Sequence, residues 1–264
     1  SEKPRNLFAQ GPDYVDTDVW RQYVGEQVGT ERLTGCLCFP VPNKSLLLSE
    51  ANAWLCDEVR THPENRGLLV ASPQQSREQI APLLEHPRIM GFKPYHVYAD
   101  TSVTFEAQLS QYVPEWAWEE ADSRGWIMMI HLVRSRALQD PGNQEALRSY
   151  CARFPNVKVV LAHAARGFCA DNTINGIQAI HDIPNIYFDT SGICEAAPIR
   201  ALIEAFGPYR LFWGTDFPVS QRRGKCVSVG DNFAWINPAR IDNQPDSPPL
   251  TTCAVRVENL RALF

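Results

Sequence analysis

Five apolar runs in this chain stop at a titratable side chain, and no other feature constrains the fold as much. In VKVVLAHAARG, residues 157–167, a β-branched stretch ends at His163; GWIMMIHL runs into His131, IYFDTSG into Asp189, LFWGTDFP into Asp216 and IMGFKPYH into Lys93. Short runs of Val, Ile and Leu bounded by turn residues read as strands buried on both faces. A titratable group at the end of such a strand is costly to bury without a partner. Several strands that share this ending describe a parallel barrel with a reactive rim.

In chain order, a helix-like segment over Tyr14–Gln27 closes at Gly29, with no strand before it. LTGCLCFPVP reads as a strand, followed by a helix from Ser45 to near His62. GLLVASP, SREQIAPLLE, IMGFKPY and the long helical run TFEAQLSQYVPEWAWEEADSRG come next, the last divided or kinked at Pro114. WIMMIHL, NQEALRSYCARF, VKVVLAHA, a helix ending near His181, IYFDTSG, APIRALIEAFG and LFWGTDFP continue the alternation. A polar, proline-rich loop over 221–252 and a helix, VRVENLRALF, end the chain. Strands alternating with helices of this length mean βα units around a parallel sheet. Pro63, Pro87, Pro155, Pro184 and Pro208 each stand just before a strand, where proline ends a helix and favours extended backbone. This repeated junction argues for one wound barrel rather than two unrelated domains.

The expected fold is thus a single (β/α)8 barrel over 1–264, which 264 residues can supply. Only seven strands are found, and a helix comes first, so the expectation includes a first strand absent from the supplied chain. An open parallel edge is an aggregation liability, which favours a sequence beginning after that strand. The segment 221–252 is long enough to act as a lid over the barrel mouth.

A net charge of −5 with scattered basic residues lacks the footprint of a nucleic-acid binder, and no apolar run approaches the ~20 residues of a membrane helix. The first residues carry no signal-peptide core. Eight cysteines match no paired zinc spacing and read as core residues in a reducing, cytoplasmic setting.

Active sites of parallel barrels form at the C-terminal strand ends, where Lys93, His131, His163, Asp189 and Asp216 fall. Imidazole and carboxylate donors suit a divalent metal, zinc or manganese, which would generate a hydroxide nucleophile. Each residue also has a plainer use. His131 and His163 could be core histidines, Asp216 a helix cap, and Lys93 half of an ion pair or an anion binder. Asp189, before Thr190 and Ser191, suits loop hydrogen bonding better than direct chemistry. His62, His86 and His181 lie in helix-to-strand junctions at the opposite end. Tyr95 and His96 are near the rim with no spacing that assigns them.

HLVRSRALQD, FPNVKVVLAHAARGF, NIYFDTSG and RLFWGTDFP together resemble the second amidohydrolase-related family of metal-dependent barrel hydrolases, from about Leu33 to ENLRALF. That family includes aminocarboxymuconate-semialdehyde decarboxylase and pyrone-dicarboxylate lactonase. The resemblance implies metal ligands at His131 and Asp216 and an acid/base histidine at His163. The family's further ligands, an HxH pair on strand one, have no counterpart in this sequence. The expected function is a metal-dependent hydrolase or decarboxylase of a small carboxylated or lactone-like molecule. Lys93, Tyr95 and Arg166 would bind substrate, Arg166 through a bidentate carboxylate fork. Two alternatives stay open: a metal-independent lactonase using His163 and Asp216, and an inactive barrel serving as a binding subunit. The expected partner is a small molecule, neither nucleic acid nor membrane, with a homodimer as the expected assembly.

Overall fold

A computed structural model describes residues 12, 14–236 and 253–263. Helix α1 (Thr17–Val28) is capped by the Asp16 side chain, which accepts from the Val19 N–H, and stops at Gly29. The alternation then runs β1 (Leu37–Cys38), α2 (Leu48–Thr61), β2 (Arg66–Leu69), α3 (Arg77–Leu84), β3 (Ile89–Phe92), α4 (Glu115–Arg124), β4 (Ile127–Ile130), α5 (Pro141–Arg153) and β5 (Lys158–Leu161). A one-turn segment, α6 (Ala162–Arg166), leads to α7 (Ala170–Gly176), β6 (Ile186–Asp189), α8 (Ala196–Phe206) and β7 (Leu211–Phe212).

The seven strands pair in sequence order, every pair parallel, which is the barrel-type sheet expected from the strand and proline patterns. Helices cover its outer face. Leu55, Val59, Leu69, Phe92, Trp118, Leu147 and Ile199 belong to the main core between sheet and helices. The inner face carries only a small cluster, Leu68, Met129, Val160 and Ala162. Strands β2 to β6 are therefore largely buried, unlike the edge strands β1 and β7, and apolar runs rather than alternation mark them in the sequence. Gly91 is required where β3 meets β4, because a Cβ there would stand 1.9 Å from the Ile127 carbonyl oxygen.

Among the described residues β1 and β7 each pair with one neighbour only. A cavity of about 730 Å³ is lined by both of these edges, the inner cluster and α1. In a closed barrel of this type layered side chains fill that space, so the opening lies where the sequence reading finds a strand missing.

Two segments differ from expectation. The run TFEAQLSQYVPEWAWEEADSRG is helical only after Pro114; before it stand two 3-10 turns, Thr104–Glu106 and Leu109–Gln111. Proline disfavours helical backbone in the residue before it. The start of the expected irregular loop over 221–252 is an antiparallel hairpin, β8 (Lys225–Val229) and β9 (Asn232–Ile236), turning at Gly230. Residues 237–252 lie outside the described part. Helix α9 (Val255–Leu263) follows, and its Asn259 side chain donates to the carbonyls of Thr190 (2.6 Å) and Ile193 (2.8 Å), bracing the loop after β6.

The turn α6 is left-handed. His163, Ala164, Ala165 and Arg166 have φ of 57°, 50°, 60° and 61°. That conformation costs roughly 1–2 kcal/mol per L-residue, and tertiary contacts hold it: the Thr173 hydroxyl donates to the Ala164 carbonyl at 2.7 Å and the Gly167 N–H to that of His163 at 2.7 Å. Ala165 is fully buried. Ala165→Val should therefore cost at least ~2 kcal/mol, since a β-branched residue fits neither the backbone nor the space. Urea unfolding of the variant checks this; unchanged stability would mean the turn is not left-handed in solution.

Candidate active site

The reversal at α6 turns His163 back over the end of β5. Its Nδ1 lies 2.9 Å from the Ser191 carbonyl oxygen and 2.9 Å from the Ser191 hydroxyl. A carbonyl only accepts, so Nδ1 is the donor in that contact, and in the neutral tautomer this leaves the lone pair on Nε2. Ser191 is in turn oriented by Asp189, at the end of β6. One Asp189 carboxylate oxygen accepts the Ser191 N–H at 2.7 Å, the Ser191 hydroxyl, and the His163 N–H at 3.3 Å. Asp189 thus works through hydrogen bonds, as its Thr-Ser context suggests. Ser191 joins the site without having been singled out in the sequence.

His131, at the end of β4, meets His163 edge to face at 5.0 Å between ring centroids, and His96 lies 5.6 Å beyond it. Burial, reinforced by His163, Lys93, His96 and Arg166, holds the His131 imidazole well below its usual range, so it is neutral. His96 is pushed down to about 4, by burial first and Arg166 second. His62, His86 and His181 stand at helix-to-strand junctions before β2, β3 and β6, away from this group.

Lys93, after β3, is 2% exposed, its ammonium 4.8 Å from the Tyr95 ring centroid and 5.4 Å from that of Phe39. Burial lowers its pKa to about 8, against the opposing pull of Asp189 and Asp216. Tyr95 is also buried, and its hydroxyl is pushed well above the usual phenol range by burial and then by Asp216. Asp216 follows β7 with φ 50° and precedes the cis Phe217–Pro218 bond. Burial raises its carboxyl pKa; His163 and Lys93 oppose the shift and Asp189 adds to it. The 3-10 turn after it, Val219–Gln221, starts at Pro218 and receives no side-chain cap, so the capping role gains no support. Lys93, His163, Asp189, Ser191 and Asp216 all line the 730 Å³ cavity.

A buried lysine with a depressed pKa destabilises the fold. The penalty is complete below about pH 8, where folded and unfolded chains are both protonated, and fades as pH rises toward 10.5. Lys93→Met should therefore stabilise the chain at pH 7 by something on the order of 3 kcal/mol, the gain shrinking above pH 8. Denaturation across pH 7–10 tests this; a variant less stable at pH 7 would contradict the assigned environment.

Arg166 leaves the left-handed turn toward a different wall. It donates to the Arg134 carbonyl at 2.7 Å, and its guanidinium lies 5.7 Å from the Phe105 centroid and 5.8 Å from that of Phe233 on β9. Phe233 and Trp235 pack on Phe168, whose ring stacks on His163 at 5.3 Å. The hairpin β8–β9 therefore sits at the rim, tied down where Glu195 accepts from the Ser228 N–H (2.9 Å) and hydroxyl (2.6 Å).

Among the described residues no three His, Cys, Asp or Glu side chains are grouped so as to hold a metal ion. His131 and Asp216 supply at most two donors, and Nδ1 of His163 is engaged by Ser191. The described residues alone do not fit a complete metal centre. All eight cysteines are free thiols. Among the described residues no helix is long and apolar enough to cross a membrane.

A parallel barrel-type sheet with histidines, a lysine and carboxylates at its C-terminal strand ends carries them where parallel barrels build active sites. The chain belongs to the amidohydrolase family, whose profile matches residues 46–244. An L-fucono-1,5-lactonase from Burkholderia ambifaria is 31% identical over 123 aligned positions, covering 41% of this chain and 42% of that protein. The chain thus spans less than half the length of that relative. Two solved structures share the fold. One is an amidohydrolase from Burkholderia multivorans with bound zinc: TM-score 0.57, 15% identity, 78% of this chain and 74% of that one. The other is amidohydrolase 2 from Bifidobacterium longum subsp. infantis: TM-score 0.51, 16% identity, 76% and 72%.

Proposed function

We propose that this rim is the reaction centre of a hydrolase or decarboxylase for a small carboxylated or lactone-like molecule, with lactone hydrolysis the favoured reaction. The observation that carries this reading is the Asp189–Ser191–His163 chain, which engages Nδ1 and leaves Nε2 as the ring nitrogen for chemistry in the cavity that Asp216 and Lys93 also line. The local likeness to a lactonase supports it. Asp216 orients the attacking water, and Nε2 of His163 takes its proton as the oxygen adds to the carbonyl carbon. Lys93 stabilises the resulting oxyanion, and His163 returns the proton to the departing ring oxygen. Asp189, through Ser191, keeps the ring in the required tautomer, while Tyr95 and Arg166 line the substrate's approach.

A zinc or manganese ion held by His131 and Asp216 would supply a metal-activated hydroxide, and it needs donors beyond the described residues. The B. multivorans protein, solved with zinc, supports testing that version. We also propose that the hairpin β8–β9 is a lid, because Phe233 and Trp235 reach Phe168 beside His163. Glu195→Gln loosens its tie to Ser228 and should raise KM about fivefold or more with little change in kcat, following a fraction of the ~1.5–3 kcal/mol of a charged hydrogen bond. An unchanged KM would remove the lid role.

The deciding experiment offers the protein sugar 1,5-lactones, L-fucono-1,5-lactone among them, and hydroxylated aromatic carboxylic acids. Acid release and carbon dioxide release are followed with and without added Zn²⁺ or Mn²⁺. Turnover above that of His163→Gln supports the reading, and the product identifies the bond broken. Neither product under either condition would favour a binding subunit.

A further inference from the structure

Among the described residues Lys93 is the only lysine that lines the 730 Å³ cavity. Its backbone is fixed, the N–H donating to the Leu69 carbonyl at 2.8 Å, which continues the pairing of β2 with β3. Its ammonium has three protons to donate, yet among the described residues it makes no hydrogen bond and no ion pair. The groups beside it are the rings of Tyr95 and Phe39, at 4.8 Å and 5.4 Å. Asp189 and Asp216 attract it at longer range, and His131 and His96 are the imidazoles whose charged forms it opposes. A lysine kept for structure ends in an ion pair or carries its charge out to water. Lys93 does neither. An amine desolvated among aromatic rings holds its proton weakly, and a neutral amine with a free electron pair is a nucleophile. With its pKa lowered to about 8, roughly a quarter of the population is neutral at pH 7.5.

From this placement we infer that Lys93 captures a small uncharged aldehyde admitted to the cavity, as an imine. The neutral nitrogen adds its electron pair to the carbonyl carbon, the carbon–oxygen double bond opens, and the oxygen takes a proton. The carbon–oxygen bond of this carbinolamine then breaks, water leaves, and the nitrogen pair closes a carbon–nitrogen double bond. Overall, ammonium and aldehyde give iminium and water: two of the three ammonium protons leave in the water and one stays on nitrogen. No oxidant, reductant or metal enters the balance. The product is a cation, which Asp189 and Asp216 attend as they attend the ammonium. A carbonyl compound with its own carboxylate would bring a third negative charge to these two while the amine is neutral, so the site favours an uncharged one. The packing of Lys93 against two rings favours an aldehyde, whose carbon carries only hydrogen on one side. The hydrolytic reading uses the ammonium form of Lys93; capture uses the neutral form and stands apart from that reading.

Propanal and glyoxylate are the probes, each added to the whole chain at pH 7.5 with sodium cyanoborohydride, which fixes an imine as a secondary amine. Peptide mass mapping then locates the label. The chain has five lysines; Lys44 and Lys158 are exposed and give the background rate. Propanal should label Lys93 at least about tenfold faster than either. Glyoxylate should show an advantage at least about threefold smaller. In urea, where the cavity is gone, Lys93 should fall to the background rate. In Lys93→Arg and Lys93→Met, Lys44 and Lys158 should label as they do in the native chain. Labelling of native Lys93 no faster than Lys44 would overturn the inference, as would an advantage that survives unfolding. Equal advantages for the two probes would overturn the assignment to an uncharged aldehyde. Capture at Lys93 by a protein that turns over no lactone supports the inference and counts only against the hydrolytic reading.

Discussion

Asp216→Asn should lower turnover about 10³-fold while leaving the fold intact. The side chain lies at the rim, partly exposed to the cavity, and the exchange is isosteric, so no packing is lost. What disappears is the negative charge. In the proposed reaction His163 becomes an imidazolium beside Lys93, and Asp216 and Asp189 are the carboxylates whose fields reach this group. Removing one of two counter-charges and the acceptor that aligns the water removes both orientation and electrostatic stabilisation, together worth roughly 4 kcal/mol. If Asp216 also holds a metal ion, the variant should lose that ion, so metal content is measured alongside. A purely structural Asp216 would tolerate asparagine with turnover intact.

The loss should be at least as deep, ~10³–10⁴-fold, for His163→Gln. Glutamine fills most of the ring's space but cannot cycle a proton at neutral pH. Ser191→Ala should be milder, ~10-fold, since the Ser191 carbonyl still accepts from Nδ1. Equal effects of the two substitutions would indicate that the ring is held for packing and not for proton transfer.

Much of this site was legible before any coordinates. His131, His163, Lys93, Asp189 and Asp216 each interrupt a buried apolar run, and a parallel sheet necessarily gathers such strand ends on one rim. The junction histidines were separable by the same logic, being at the opposite strand ends. Ser191 was not legible as an orienting residue, because its contact with His163 joins β5 to β6 across 28 positions. The left-handed turn at His163–Arg166 gave no warning either: alanine is not a residue that signals positive φ, and only the Thr173 bond and close packing impose it. His96 lies on a 3-10 turn with no periodicity to read. The β8–β9 hairpin, by contrast, has a local signal: in VSVGDNFAW a two-residue Gly-Asp turn links two runs of strand-forming residues, inside a segment that is otherwise polar and proline-rich.

The account depends most on the protonation of one ring. ¹⁵N spectra of histidine-labelled protein, with His163 assigned from His163→Gln, report which nitrogen carries hydrogen. At neutral pH the site described here requires a neutral ring protonated at Nδ1, with an unprotonated Nε2 that shifts when a carboxylate ligand is added. A His163 ring protonated at Nε2, or one whose signals ignore every ligand, would contradict it.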